Sequence, residues 1–206
     1  MGGPQIDDQE LGTRIRELRM GRGLSLRRVA DLLGISPSAL SQIERGRMRP
    51  SVTRLYQIMS VLDIPMAAVF GERETPEPPA GPLDPLDSLG DEGKGDDIMV
   101  VRGDEATTLL LGHGVRYRRL TPIAVPGMNI FESIYPPGSG SSQHSEYVCH
   151  GGREIGNVIS GTLVVDVGAK THELGPGDSI TFPSTTPHRI SNPGDTPAVA
   201  VWINLT

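Results

Sequence analysis

LSLRRVADLLGISPSALSQIERGRMRPS, residues Leu24–Ser51, carries two short helical patterns hinged on one glycine. Ser25 is a hydroxyl N-cap ahead of Leu26, Val29, Ala30 and Leu33, which fall on one helical face, and Gly34 stops the run. Ser36-Pro37 starts a second helix, a capping serine followed by proline at the first helical position. Leu40 and Ile43 point it inward, Gly46 ends it, and Ser38, Ser41 and Gln42 are left for the outer face. Two short helices joined by a tight turn, the second with a small polar outer face, form the geometry that seats a helix in the major groove of DNA.

On either side the pattern stays helical. Leu11, Ile15 and Leu18 recur at i, i+4, i+7 in a preceding helix. A fourth helix begins near Ser51 with Val52, Leu55, Ile58, Met59 and Leu62, and a short fifth runs over Pro65–Phe70. Helices this short are unstable alone, so residues 9–71 are expected to pack as one all-α, five-helix domain. Its charge suits a polyanion. Arg14 to Arg54 holds ten arginines against Glu17, Asp31 and Glu44, although the whole chain carries a net charge of −6. A local surplus of seven positive charges on an acidic chain is the electrostatic footprint of a phosphate-binding module.

Residues 72–97, ERETPEPPAGPLDPLDSLGDEGKGDD, read as a linker, rich in Pro, Gly and acidic residues. From 98 the period changes to that of strands. Val115–Leu120, Met128–Tyr135, Ile155–Ser160, Thr162–Val167, Ser179–Phe182 and Ala198–Asn204 are short runs between Gly, Pro and Asn turns, the signature of an all-β sandwich or barrel over 98–206. No apolar run approaches the length of a membrane span, the first residues lack a secretory pattern, and the single Cys149 excludes an internal disulfide. A cytoplasmic protein is expected.

The N-terminal motifs LGTRIRELR, LSLRRVA, SPSALSQIERG and the RMRPS tail closely resemble the phage-repressor-like (Cro/C1, XRE) helix-turn-helix family. The resemblance implies that Ser38 and Gln42 read base edges, Gln42 by pairing with adenine, and that Ser41 and Pro37 add contacts. Ser36, Arg45, Arg47 and Arg49 are then phosphate clamps, and Glu44 holds the helix through an arginine pair.

Two later blocks, HGGREIGNVISG (150–161) and GPGDSITFPSTTPHRISNPG (175–194), resemble the two motifs of cupins, double-stranded β-helix (jelly-roll) barrels. His150, Glu154 and Gly161 match the first, and Gly177, Pro183, His188 and Asn192 the second. Two imidazoles and a carboxylate facing a barrel interior could hold a divalent metal facially, leaving positions open for a ligand. Cupin metal sites usually have a further histidine where this chain has Val148, and His144 is too far along a regular strand to replace it. The alternative is that His150 and His188 hydrogen-bond Glu154 and line a pocket that binds an organic effector without metal. Arg153, Arg116 and Tyr117 are the other effector-pocket candidates, Trp202 a core residue, Cys149 a buried inert thiol, and His113 and His172 exposed.

The whole chain is thus similar to the cupin-containing branch of XRE-type regulators. That implies a non-enzymatic transcriptional regulator that binds double-stranded DNA, probes a small-molecule effector with its cupin domain and acts as a homodimer on a palindromic operator. The rival is a mononuclear metal-dependent oxygenase or epoxidase of the same two-domain layout.

Overall fold

Three serines and an aspartate start the four α-helices. α1 (Asp8–Gly21) is capped by Asp7, whose carboxylate accepts the Glu10 N–H at 2.8 Å. α2 (Leu26–Leu32), α3 (Pro37–Glu44) and α4 (Val52–Leu62) are capped by Ser25, Ser36 and Ser51, each accepting a backbone N–H three residues on at 3.1 Å. Each cap is worth about 1 kcal/mol. The expected fifth α-helix is instead a 3-10 helix, Met66–Phe70. Pro65 before it and Gly71 at φ 78° after it leave five residues, too few for an α-helical ladder. This computed structural model describes residues 3–71, 98–123, 125, 127–142 and 146–205. The expected linker, 72–97, and His144 lie outside the described residues.

α1 and α3 touch backbone to backbone at Gly12, where a Cβ would stand 2.5 Å from the Ile43 carbonyl oxygen. Beside that contact the Arg19 guanidinium donates to both carboxylate oxygens of Glu44 at 2.6 and 2.8 Å, and to the Leu24 carbonyl at 2.7 Å. Both side chains are buried, so this pair fixes α3 by a charge that cannot be released cheaply.

The rest is β-structure. The strands are β1 (Gln5–Ile6), β2 (Thr108–Leu110), β3 (Arg116–Arg119), β4 (Met128–Tyr135), β5 (Arg153–Ser160), β6 (Leu163–Val167), β7 (Lys170–Leu174), β8 (Ser179–Pro183), β9 (His188–Ser191) and β10 (Ala198–Leu205). A seven-stranded sheet runs β1-β2-β3-β4-β10-β5-β8, and a three-stranded one β7-β6-β9. β1, β2, β7 and β9 add to the six strands expected. β1 precedes the helices, yet it pairs in parallel with β2, Gln5 opposite Thr108 and Ile6 opposite Leu109. The N-terminus therefore completes the edge of a sheet that otherwise begins a hundred residues later.

One hydrophobic core spans helices and sheets, from Leu11, Leu40 and Leu55 to Phe131, Val165 and Trp202. Phe70 of the 3-10 helix stacks on Phe131 of β4, ring centroids 5.5 Å apart. The Thr53 N–H donates to the Ser141 carbonyl at 2.8 Å, and the Gly112 N–H to that of Pro50 at 2.9 Å. Arg54 pairs with Glu146 at 3.2 Å.

Candidate functional site

α3 presents its N-terminal half outward. Pro37 and Ser38 are exposed, Ser41 and Gln42 partly so, while Leu40, Ile43 and Glu44 are buried beneath them. Ser38 and Gln42, one turn apart, share the outer face. Arg45 and Arg47 stand exposed beyond the C-terminus of the helix, Arg45 donating to the Ser41 hydroxyl and carbonyl. The exposed Ser36 hydroxyl accepts the Ala39 N–H as the cap of α3 and keeps its own proton for a further acceptor. One expected phosphate clamp is placed differently. Arg49 is half-buried in a two-fold hydrogen-bonded pair with Asp8 at 2.7 and 2.9 Å, because the loop after α3 returns to the start of α1.

The second constellation lies inside the β-structure. Glu154 on β5 and His188 at the start of β9 are buried; His150 sits in the loop before β5, and Gly152 at φ 89° turns the chain between it and Glu154. Glu154 Oε1 lies 2.7 Å from His150 Nε2 and 3.2 Å from His188 Nε2. The Nδ1 of His150 meets the Gly151 carbonyl at 3.0 Å, and the Nδ1 of His188 meets that of Thr186 at 2.9 Å. Each ring thus has an acceptor at both nitrogens. With Nδ1–H donated to a carbonyl, each Nε2 needs a further proton or a cation to face the carboxylate. Burial alone would raise the Glu154 pKa, but the hydrogen bonds from His150 and His188 outweigh it and hold the carboxyl down at about 2. Burial lowers the His188 pKa, and its contact with Glu154 reverses this, leaving it raised.

A divalent metal fits this donor set. Three ligand atoms lie within 4.8 Å of one another, on side chains that are buried or partly buried. Val148, buried where a fourth ligand would come, exchanges backbone hydrogen bonds with His188 at 3.0 and 2.9 Å. Among the described residues the set therefore numbers three.

The comparisons with known proteins agree with both halves. Residues 15–69 match the helix-turn-helix family, and residues 131–204 the cupin domain family. The HTH-type transcriptional regulator PuuR of Escherichia coli (strain K12) is 29% identical over 181 residues, 88% of this chain and 86% of PuuR. The transcriptional regulator ClgR of Mycobacterium tuberculosis is 41% identical over 66 residues, 31% of this chain and 59% of ClgR. Among solved structures, an HTH_3 family transcriptional regulator from Vibrio cholerae superposes with a TM-score of 0.65 at 27% identity, covering 97% of this chain and 96% of that one.

The chain joins an XRE-type helix-turn-helix domain to a cupin domain. The join is a packed contact as well as a covalent one. Tyr56 of α4, in the helix-turn-helix domain, stacks on His150 of the cupin domain, centroids 4.9 Å apart and planes 15° from parallel. Its hydroxyl donates to Asn204 Oδ1 at 2.8 Å, across 148 residues of sequence. A cavity of about 310 Å³ opens beside this contact, between Met59, Ile64 and Met66 on the helical side and His150, Asn129 and Asn204 on the cupin side. The sequence held no sign of Tyr56 as a site residue, since its partners lie in the other domain.

Three other expectations fail. Arg116 and Arg153 are exposed on the outer face of the large sheet, because alternation on β3 and β5 turns Tyr117 and Glu154 inward instead. Tyr117, by contrast, faces the interior, where it lines a small cavity with Glu154 and His188, its hydroxyl 3.3 Å from that of Tyr135. Cys149 is exposed rather than buried, its neighbour Val148 taking the inward position. Trp202 is in the core, and His113 and His172 are exposed, as expected.

Proposed function

We propose that this protein is a sequence-specific DNA-binding transcriptional regulator whose cupin domain binds a small-molecule effector beside a divalent metal. The observation that carries the DNA reading is the outer face of α3. Its Ser38 and Gln42 are free of the core while Leu40, Ile43 and the Arg19–Glu44 pair lock the opposite face. A helix held rigidly on one side and polar on the other can deliver Gln42 to a base edge, with Arg45 and Arg47 on flanking phosphates. The match to regulators along both domains supports the same reading.

In the cupin domain His150, Glu154 and His188 would hold the metal, which when bound supplies a Lewis-acidic anchor for an oxygen or nitrogen donor of the effector. The effector would lie in the cavity against Tyr56 and Asn204, where one molecule touches both domains. Occupancy then biases the orientation of the helix-turn-helix domain by differential contact, as a population shift requires. A homodimer reading two half-sites of a palindrome in the cytoplasm completes the proposal.

A gel shift on DNA upstream of the chain's own coding region, with a salt titration, tests it. Gln42→Ala should narrow the gap between specific and scrambled DNA. Arg47→Ala should weaken both alike and reduce the salt slope by about one. Equal retention of scrambled and upstream DNA by wild type would defeat the regulator reading. Two histidines and one carboxylate are also the donor set of non-haem iron oxygenases, which keeps an enzymatic reading in play. Oxygen uptake by the iron-loaded protein with small organic acids would favour that reading.

A further inference from the structure

We propose that the outer face of the seven-stranded sheet is the surface through which two copies of this chain pair. An antiparallel sheet with one solvated face alternates apolar inward and polar outward. β10, AVAVWINL, breaks that rule: Ala198, Ala200, Trp202 and Asn204 point to the core, yet the outward positions hold Val199, Val201, Ile203 and Leu205. Its neighbours repeat the pattern in register. Ile130 of β4, Ile203 of β10 and Ile155 of β5 stand opposite one another in a row across three strands. Ile155, Ile159 and Leu205 are 36%, 54% and 38% exposed.

The charges on this face are arranged as at an interface. Glu132, the carboxylate among the apolar rows, is already neutralised by Arg118 at 2.9 Å. The exposed Arg116 and Arg153 lie on β3 and at the end of β5, away from the centre. An apolar centre depleted of free charge with a basic rim is the composition of a protein–protein contact.

Size and symmetry select a second copy as the occupant. The strands β3, β4, β10, β5 and β8, of four, eight, eight, eight and five residues, at about 4.8 Å spacing and about 3.3 Å rise give on the order of 500 Å² in projection, before side-chain relief is added. A stable complex needs about 800 Å² per partner, so the face is the right size for one sheet-on-sheet contact. β10 is flanked on both sides by apolar strands. A two-fold axis running parallel to β10 past Val201 lays β4 of one copy over β5 of the other, an isologous contact that closes on itself. The inference gives the dimer of the proposed function its surface, and it stands whether or not the chain reads DNA.

The test is sedimentation of the full chain without DNA. Wild type should be dimeric at micromolar concentration. Ile203→Glu places two carboxylates at the contact and should raise the dimer dissociation constant at least about a hundredfold. Lys170→Glu, on the other sheet, should leave it unchanged. Retention of the wild-type unfolding midpoint by monomeric Ile203→Glu separates lost pairing from misfolding. Should Ile203→Glu fail to fold, Val201→Cys in a Cys149→Ser background decides, since a short bis-maleimide should then link two chains. A monomeric wild type, a folded Ile203→Glu dimer, or a dimer that Val201→Cys does not cross-link would each overturn the proposal. DNA retention by a monomeric wild type would separate failure of this surface from failure of the regulator reading.

Discussion

Glu154 shows how one residue sets the character of a site. It is buried and charged, and both of its polar partners are imidazoles whose Nδ1 atoms already face backbone carbonyls. Glu154→Gln keeps the size and removes the charge. Elemental analysis after purification with a divalent metal should find about one equivalent in wild type and background in the variant. Equal metal in both would take the carboxylate out of the ligand set. Residues with local duties were legible at this scale. Ser25, Ser36 and Ser51 cap the helices they precede, and Glu44 takes an arginine. Arg49 was misread because its partner, Asp8, is 41 positions away and no pattern in the neighbourhood of either announces the pair.

Among elements, α4 does two jobs. One face belongs to the helical core through Leu55, Ile58 and Leu62, and another closes the cupin cavity through Tyr56. Tyr56→Phe removes the hydrogen bond to Asn204 and keeps the stack on His150, so urea unfolding should show a loss of about 1 kcal/mol. If Tyr56 couples the domains, the same variant also brings operator affinity with and without metal closer together; an unchanged ratio would place coupling elsewhere. α4 also buries Thr53 Oγ1 and Gln57 Oε1 without a hydrogen-bond partner among the described residues. An unpaired buried polar atom costs about 1–3 kcal/mol. The helices were legible because caps, stops and apolar spacing agree. β7 was not, since KTHEL is exposed along nearly all its length, and β1 is only two residues long.

The whole molecule is organised around a core shared by both domains. β1 sews the N-terminus into the cupin sheet, and Phe70 anchors the end of the helical domain on β4. Such continuity couples unfolding of the two halves. Calorimetry of the metal-free chain should give one transition whose van't Hoff and calorimetric enthalpies agree. Two resolved transitions would mean that the docking is too weak to transmit a signal.

Sequence alone determined the four α-helices and six of the ten strands, which polar side chains sit on the outer face of α3, and which three residues could share a metal. Those properties follow from short-range periodicity, capping chemistry and motif spacing, all of which are written along a few consecutive residues. Tertiary structure decided that Tyr56 roofs the cupin site, that Arg49 answers Asp8, that Arg116 and Arg153 face away from the cavity, and that apolar side chains line the outer face of the large sheet among the described residues. Each depends on how segments far apart in the chain come to lie against one another, and contact across such distances is set by the packing of the whole core.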